Sequence, residues 1–147
     1  LEIFIDYAHT PDALKKSITS LKKKFSSKKI IVLFGCGGNR DVGKRKKMGA
    51  IAEKFADEII ITSDNPRFED PRLIINQISE GFKIVTRKTK KIIVDRKEAI
   101  NWAVKNMEKN KVLLVAGKGH EDYQEIRGGK FKFSDYDEVE KCLKMIN

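Results

Sequence analysis

Short apolar runs alternate with helical patterns along the whole 147-residue chain. Apolar runs of strand length occur at residues 2–6, 29–34, 58–62, 91–95 and 111–116. Alternation of this kind is typical of a mostly parallel sheet that is covered by helices on both sides. We therefore expect an α/β fold: a Rossmann-like, mostly parallel sheet of about six strands, with helices on both faces and a C-terminal β-hairpin.

The predicted helices have recognisable beginnings. Thr10 and Pro11 mark the first helix as its N-cap and its first helical residue. Asp95 is the expected N-cap of a later helix, with Glu98 three residues on, as in a capping box. The predicted helices that lack such paired signals cover residues 44–56, 71–81 and 134–146.

A hairpin is predicted near the C-terminus. Residues 124–126 and 131–133 flank the sequence Arg-Gly-Gly-Lys, whose two glycines are suited to a tight turn. No internal repeat, linker or low-complexity segment interrupts the pattern. A single domain over residues 1–147 is therefore expected.

Composition narrows the class of protein. The chain is 40% hydrophobic and 35% charged, as in soluble globular domains. Its longest apolar runs are about strand length, far short of the ~20 residues of a membrane-spanning helix, and no secretory leader precedes them. Cys36 and Cys142 lie far apart, which favours reduced thiols, and Cys36 is expected to be a small filler rather than a nucleophile. These features predict a cytoplasmic protein.

The net charge of +10 raises the possibility of nucleic-acid binding. However, most lysines fall on predicted helix faces and turns, and the sequence has no zinc-finger spacing, aromatic RNA-binding signature or heptad-backed basic region. Solvated lysine-rich faces that also steer small anionic substrates are the favoured interpretation. A basic nucleic-acid-binding α/β module remains the alternative from a different functional class.

Four unusual stretches follow predicted strands. They are DYAHTP at residues 6–11, GCGGNRDVGKR at 35–45, SDNPR at 63–67 and AGKGHE at 116–121. In open α/β sheets, ligands bind in the crevice at the carboxyl ends of the strands. The shared position of the four stretches predicts a ligand site at that edge.

The second stretch is nearly a phosphate-binding loop. Gly38, four further residues, Gly43 and Lys44 lie between a strand and a helix, as a Walker A motif requires. The next residue is Arg45 instead of the serine or threonine that ligates magnesium. A P-loop NTPase is therefore the less favoured interpretation. The glycines are expected to allow close backbone approach, leaving Arg40 and Arg45 to bind anions.

Arg67 in SDNPR offers a planar fork that matches a carboxylate. The competing interpretation is a salt bridge from Arg67 to Asp64, Glu69 or Asp70 that only holds the loop together. Sequence alone does not decide between these two interpretations of Arg67.

Two histidines also lie in these stretches. His9 could bond its own turn or contact a ligand. His120 and Glu121 resemble half of a zinc-protease motif, but the second histidine is missing. Glu121 is instead expected to accept a cationic group beside the flexible Gly117 and Gly119.

Longer motifs occur in order along nearly the whole chain: DYAHTPDAL, GCGGNRDVGKR followed by MG, IAE and AD, then T.DNPR.EDP, DR..AI..A and AGKGHE.YQ. In these motifs the chain resembles the C-terminal domain of the UDP-N-acetylmuramoyl-tripeptide synthetases of the Mur ligase family, in particular the members that add meso-diaminopimelate in peptidoglycan synthesis. The resemblance implies part of an ATP-dependent amide ligase. In that family UDP-N-acetylmuramoyl-L-alanyl-D-glutamate is activated as an acyl phosphate, which the amine of the incoming amino acid attacks.

The resemblance also implies site residues. The family's diaminopimelate site carries over to Arg40, Asp64, Asn65, Pro66, Arg67, Gly117 and Glu121. Asp6, Tyr7 and His9 of the first motif would approach the ATP. No catalytic or metal-binding residue is expected within this chain.

The chain departs from the family in two ways. The family often has Asp where this chain has Asn39, and Pro where it has Lys47, but neither position belongs to the carried-over site. The family's P-loop, magnesium ligands, carbamylated lysine and UDP-sugar pocket belong to two preceding domains, which are expected to be absent here. ATP and Mg²⁺ would be bound mainly by the central domain, so this chain alone is expected to be inactive.

The expected partners are small molecules: meso-diaminopimelate, the UDP-N-acetylmuramoyl dipeptide and ATP. Neither nucleic acid nor membrane is an expected partner, and a monomer is expected. The alternative within the same ligase class is an enzyme that uses L-lysine.

Overall fold

The computed structural model describes residues 1–83 and 88–146. The strands in these residues are β1 (Glu2–Asp6), β2 (Lys29–Phe34), β3 (Glu58–Ile61), β4 (Thr89–Ile92), β5 (Lys111–Ala116), β6 (Tyr123–Ile126) and β7 (Gly129–Lys132). The helices are α1 (Pro11–Lys24), α2 (Gly43–Phe55), α3 (Pro71–Ser79), α4 (Arg96–Lys105) and α5 (Asp135–Ile146).

Five strands form one parallel sheet in the order β1-β5-β2-β3-β4. The other two strands, β6 and β7, pair antiparallel with each other as the predicted hairpin. The α/β fold class is confirmed. The main sheet has five strands, against about six expected, because neither hairpin strand pairs with a strand of the main sheet. Since all five strands are parallel, their carboxyl ends lie at one edge.

The sheet is buried on both faces. Ile30, Val32 and Phe34 of β2 pack into a core with α1, α2 and α3. The alternating residues Ile31 and Leu33 pack into a second core with α4 and α5. Side chains of successive strand residues point to opposite faces, so one apolar run contributes to both cores.

The predicted helix starts are confirmed. The hydroxyl of Thr10 accepts a hydrogen bond from the backbone of Ala13 at 3.2 Å, and Asp95 accepts one from Lys97 at 3.1 Å. Each bond satisfies one of the free amide groups of a first helical turn. None of the helices in residues 1–83 and 88–146 combines the length and apolar character that a membrane crossing requires.

The fourth strand begins two residues earlier and ends three residues earlier than the predicted span of 91–95. It includes Lys90 and Lys91, whose ammonium groups lie over the rings of Phe82 (4.3 Å) and Trp102 (4.5 Å). β4 is an edge strand, so long side chains can cover apolar surface while their charges stay near water. The apolar pattern alone therefore misplaced its start.

Candidate functional site

The four unusual loops meet at the carboxyl edge of the sheet, as predicted. The backbone N–H of Gly117 donates to the carbonyl of Asp6 at 3.0 Å, which joins the loops after β5 and β1. The ammonium group of Lys44 donates to the carbonyl of His9 at 2.9 Å. Direct contacts between loops thus assemble one continuous surface from segments that are distant in sequence.

Gly38 allows the loop after β2 to lie against the SDNPR loop. Its N–H donates to the carbonyl of Asn65 at 2.7 Å. A Cβ atom at Gly38 would overlap the carbonyl oxygen of Pro66. The predicted close approach is therefore present, and the group that approaches the glycine is another stretch of backbone.

Asn65 is a buried junction between three segments. Its side-chain oxygen accepts from the ammonium group of Lys118 at 2.9 Å and from the backbone N–H of Glu125 at 3.0 Å. Its side-chain nitrogen donates to Glu121 at 3.3 Å. The amide therefore connects the SDNPR loop to the AGKGHE loop and to the hairpin.

Glu121 lies beside this junction with a partly exposed carboxylate. One oxygen accepts from Lys118 at 3.1 Å, and the other accepts from the hydroxyl of Tyr7 at 3.3 Å. The negative charge of Glu121 is the main reason that the pKa of Tyr7 is raised above its usual value. Glu121 thus presents a negative charge at the sheet edge, where it could accept an ammonium group.

Arg67 has an acidic partner that sequence reasoning did not consider. Its Nε donates to the carboxylate of Glu125 at 3.1 Å, and its Nη1 donates to the carbonyl of Gly38 at 2.9 Å. Neither Asp64, Glu69 nor Asp70 forms an ion pair with it among the residues that the structure describes. Within the same residues, its Nη2 has no protein acceptor, so part of the fork is free to bind a ligand.

The backbone of Arg67 has a left-handed conformation, with φ of +53°. This conformation is strained for a residue that has a Cβ atom. The hairpin holds it: Arg67 N–H donates to the carbonyl of Glu125 at 2.9 Å, and Arg127 N–H donates to the carbonyl of Arg67 at 2.7 Å. The hairpin therefore fixes both the main chain and the side chain of Arg67.

Arg40 lies on the exposed part of the neighbouring loop. A Cβ atom added to Gly37 would lie 2.8 Å from Nη1 of Arg67 and 3.6 Å from Cγ of Arg40. The two arginines therefore flank the same glycine. Arg40 donates to the carbonyl of Asn39 at 3.1 Å and remains accessible for an anion.

The prediction that Arg45 binds anions is wrong. Its side chain is fully buried and forms a bidentate pair with Glu69, with distances of 3.0 and 2.8 Å. It also donates to Gln77 at 2.6 Å and to the carbonyl of Gly37 at 2.9 Å. Arg45 points into the protein, towards Glu69 and α3, so it holds the GCGGNRDVGKR loop in place.

Sequence reasoning missed two buried cations beneath the site, Arg96 and Lys118. Arg96 forms a bidentate pair with Asp135, both distances being 2.8 Å, and donates to the carbonyls of Ser63 and Ala116 at 3.1 Å. Both residues stood inside quoted motifs, DR and AGKGHE. No periodicity distinguishes a buried cation from an exposed one, so only their place in the motifs could have marked them.

Asp64 is buried next to these cations. Burial is the main cause that raises the pKa of its carboxyl group, while the positive charges of Arg96 and Lys118 lower it. Its carboxylate lies next to Gly117, because a Cβ atom there would be 2.7 Å from it. Gly117 also has φ of +112°, which is rarely adopted by other residues.

The first motif lies at the same edge. Asp6 accepts from the backbone of Tyr7 at 2.7 Å and from the hydroxyl of Ser17. His9 Nδ1 lies 2.9 Å from the carbonyl of Tyr7, so the turn bond that sequence reasoning considered is present. The rings of Tyr7 and His9 lie 4.8 Å apart and are exposed, so they could also contact a planar ligand.

Cys36 is not a nucleophile. Burial raises the pKa of its thiol to about 12, and the sulfur lies 3.6 Å from that of Met48. The expected role as a small filler is confirmed. In the described ranges, no three His, Cys, Asp or Glu side chains come together as potential metal ligands.

The fold and its loops together define a Rossmann-like α/β domain whose loop edge carries both cationic and anionic side chains. Residues 1–119 match the family described as "Mur ligase, glutamate ligase domain". The chain therefore belongs to the Mur ligase family.

Relatives of known name align with nearly the whole of this chain. A protein named UDP-N-acetylmuramoyl-L-alanyl-D-glutamate–2,6-diaminopimelate ligase from Rickettsia rickettsii is 52% identical over 146 residues, covering 99% of this chain and 30% of that protein. A protein of the same name from Chlorobium phaeobacteroides is 51% identical over 146 residues, covering 99% and 28%. This chain therefore spans less than a third of the length of these relatives.

A solved structure titled as the same ligase superimposes with a TM-score of 0.93. It is 40% identical and covers 98% of this chain and 29% of that one. A folylpolyglutamate synthase/dihydrofolate synthase from Yersinia pestis has a TM-score of 0.57 at 16% identity, a likeness of fold alone.

Proposed function

We propose that this chain is the C-terminal, amino-acid-binding domain of an ATP-dependent amide ligase that adds meso-diaminopimelate to UDP-N-acetylmuramoyl-L-alanyl-D-glutamate. The observation that carries the proposal is the arrangement of two arginines, Arg40 and Arg67, and one carboxylate, Glu121, at one edge of the sheet. Its support from other proteins is the 52% identity to a relative with that name.

The proposed ligand carries two carboxylates and two ammonium groups, so it needs both cations and anions in fixed positions. Arg67 binds the distal carboxylate through the free part of its fork, and Glu121 binds the neighbouring ammonium group. Arg40 binds the other carboxylate, beside the amine that attacks. Asp64, Asn65, Pro66 and Gly117 complete the proposed site, as the buried frame that holds these charges in place.

Asp6, Tyr7 and His9 would approach ATP in the full-length protein. The exposed rings of Tyr7 and His9 suit contact with a nucleotide. ATP supplies the phosphoryl group that activates the acceptor carboxylate, and the amine displaces phosphate to form the amide. Mg²⁺ and most ATP contacts would come from the remainder of a longer protein.

Selectivity for diaminopimelate over lysine tests the proposal. Lysine lacks the distal carboxylate, so Arg67 would lose this partner on binding lysine. Leaving a buried charge unpaired costs ~2–5 kcal/mol, and the lower end applies here because Glu125 remains bonded to Arg67. At 1.4 kcal/mol per factor of ten, roughly 30-fold discrimination is expected. The measurement is a competition between the two amino acids in full-length enzyme.

Arg67→Ala should remove most of the affinity for diaminopimelate, and Arg67→Lys should restore it poorly because a point charge cannot replace the fork. Arg72→Ala, which removes an exposed arginine nearby, is the matched control and should keep the preference. A wild-type enzyme that uses lysine as well as diaminopimelate would support the lysine-adding alternative. An unchanged preference in Arg67→Ala would show that Arg67 only holds the loop.

A further inference from the structure

Lys118 places a fully buried ammonium group beneath the proposed amino-acid site. Its Nζ lies 2.9 Å from Asn65 Oδ1 and 3.1 Å from Glu121 Oε1, and 5.5 Å from the centre of the Tyr123 ring. The side chain is 0% exposed, so it is shielded from direct contact with a ligand in solution. Any effect on a substrate must act through the residues that it touches.

The first of these effects is on the amide of Asn65. Its oxygen faces two donors, Lys118 Nζ and the backbone N–H of Glu125. The opposite orientation of the amide would bring its NH₂ group against both donors. Lys118 therefore fixes which end of Asn65 faces Glu121, to which the NH₂ group donates at 3.3 Å.

The second effect is on the carboxylate of Glu121. Lys118 and Asn65 both bond to Oε1, which turns this oxygen towards the protein. Oε2 is left with the hydroxyl of the exposed Tyr7 at 3.3 Å. The carboxylate is therefore held at one oxygen, while the other faces the sheet edge.

We infer that Lys118 is a positioning residue that sets the selectivity of the amino-acid site by orienting Asn65 and Glu121 and by balancing the negative charge of Glu121. The inference rests on the proposed function. Lys118 acts without contacting the substrate. Its charge offsets one of the two nearby carboxylates, Asp64 and Glu121.

Removal of this charge has a specific consequence for selectivity. The site would become more negative by one unit next to Glu121. Diaminopimelate, with two carboxylates, has no net charge, whereas lysine has a charge of +1. A more negative site disfavours the second carboxylate and attracts the extra positive charge, so Lys118→Met should shift preference towards lysine.

The test uses full-length enzyme with meso-diaminopimelate, L-lysine and ATP as the variable substrates. Lys118→Met should raise KM for diaminopimelate by on the order of tenfold and narrow the preference over lysine, with KM for ATP within about threefold of wild type. Lys118→Arg, which keeps the charge, should retain more of the preference than Lys118→Met. In a Glu121→Gln background the effect of Lys118→Met should be smaller, because Lys118 acts through Glu121.

Lys130→Met is the matched control. Lys130 lies 4.6 Å from the same Tyr123 ring but is exposed, and the structure shows no contact with Asn65 or Glu121. Lys130→Met should leave KM for diaminopimelate, for lysine and for ATP unchanged.

The inference would be overturned if Lys118→Met kept the wild-type preference for diaminopimelate over lysine, or if it changed KM for all substrates equally. If that variant does not fold, Lys118→Gln is measured instead, and failure of both to fold would show a purely structural role. Wild-type activity and its loss in Arg67→Ala test the proposed function separately.

Discussion

Arg45 is a charged side chain that the protein uses as internal support. Its guanidinium group bonds to Glu69, Gln77 and the carbonyl of Gly37, which belong to three different segments. Its Nε is the one buried side-chain nitrogen or oxygen without a partner in the residues that the structure describes. The other four bonds hold the GCGGNRDVGKR loop against Glu69 and α3.

Arg45→Met should lower the free energy of unfolding by about 2–3 kcal/mol. The substitution roughly keeps the length of the side chain but removes the donors of Arg45 from Glu69, Gln77 and the part-buried carbonyl of Gly37. Glu69 is 30% exposed and can recover some hydration, so the loss stays below that of a fully buried pair. Urea denaturation of the isolated chain gives the value.

The control for this measurement is Lys144→Met, which breaks an exposed ion pair with Glu140. Exposed pairs contribute about 0–1 kcal/mol, so this change should be small. Equal losses in the two variants would contradict the structural role of Arg45.

Acid should weaken the contact between Arg45 and Glu69. Hydrogen bonds from Arg45 and from the backbone of Asn39 hold the pKa of Glu69 below its usual value. A carboxylate with a lowered folded-state pKa stabilises the protein above its unfolded pKa, about 4.3, and this contribution is lost as the pH falls through the folded pKa. Wild type should therefore lose more stability than Glu69→Gln when the pH is lowered from about 5 to below 4. Parallel pH profiles of the two proteins would contradict this assignment.

At the level of elements, the site depends on how closely the loop after β2 approaches the SDNPR loop. Gly38 lies against Pro66 with no room for a Cβ atom. Gly38→Ala should separate the loops, because backbone on both sides must shift. We expect a loss of at least about 2 kcal/mol in unfolding free energy and a weaker affinity for diaminopimelate.

Gly43→Ala is the matched control for Gly38→Ala. A Cβ atom at Gly43 would meet only the side chain of Asp41, at 3.3 Å, and Ala suits the first turn of α2 better than Gly. This variant should be neutral or slightly more stable. A stable Gly38→Ala protein would show that the loops have more freedom than their packing indicates.

The hairpin is the second element that shapes the site. It forms no part of the main sheet, yet it bonds to Asp64, Asn65 and Arg67 of the SDNPR loop. An antiparallel pair of four-residue strands is marginal by itself, so its attachment to the loop stabilises both. Through Glu125 it also supplies the acid that orients Arg67.

At the level of the whole molecule, many lysines have local partners. Lys15 and Lys24 of α1 lie over the rings of Phe4, Phe25 and Phe55, which belong to β1, the end of α1 and α2. This supports the interpretation of the net charge as solvated faces that pack along apolar surface. The nucleic-acid alternative remains a separate hypothesis, and strong sequence-selective affinity that survives high salt would favour it.

The isolated chain should form neither ADP nor the tripeptide precursor. In the loop that resembles a phosphate-binding loop, the two basic residues at the start of α2 make internal contacts. Arg45 is buried, and the ammonium group of Lys44 bonds to the carbonyl of His9 at 2.9 Å. Neither residue is therefore free to stabilise a transferring phosphoryl group, and Arg40 of the same loop is assigned to a carboxylate of the amino acid. ADP release by purified chain, with the full-length enzyme as positive control, is the measurement. Turnover by the isolated chain would contradict both this prediction and the proposed division of labour between domains.

The alternation of apolar runs and capped helices determined the fold class, because side-chain periodicity and cap chemistry are local properties of the sequence. Ile30 to Phe34 could be assigned to a buried strand, and Thr10 and Asp95 to helix starts, without knowing their neighbours in space. The shared edge of the four loops followed from the parallel sheet. The family resemblance rested on motifs that were readable in order along the chain.

Only the tertiary structure decided which charges are free. Arg40 and Arg45 stand in one loop, but Arg45 is fully buried while Arg40 is exposed. Lys118 lies inside the protein although lysine is almost always found at the surface. These outcomes depend on partners more than 20 residues away, such as Glu69 for Arg45 and Asn65 for Lys118, and local patterns carry no information about such pairs. Long-range packing, through the desolvation that it imposes on each charge, separates structural cations from those that can bind a ligand.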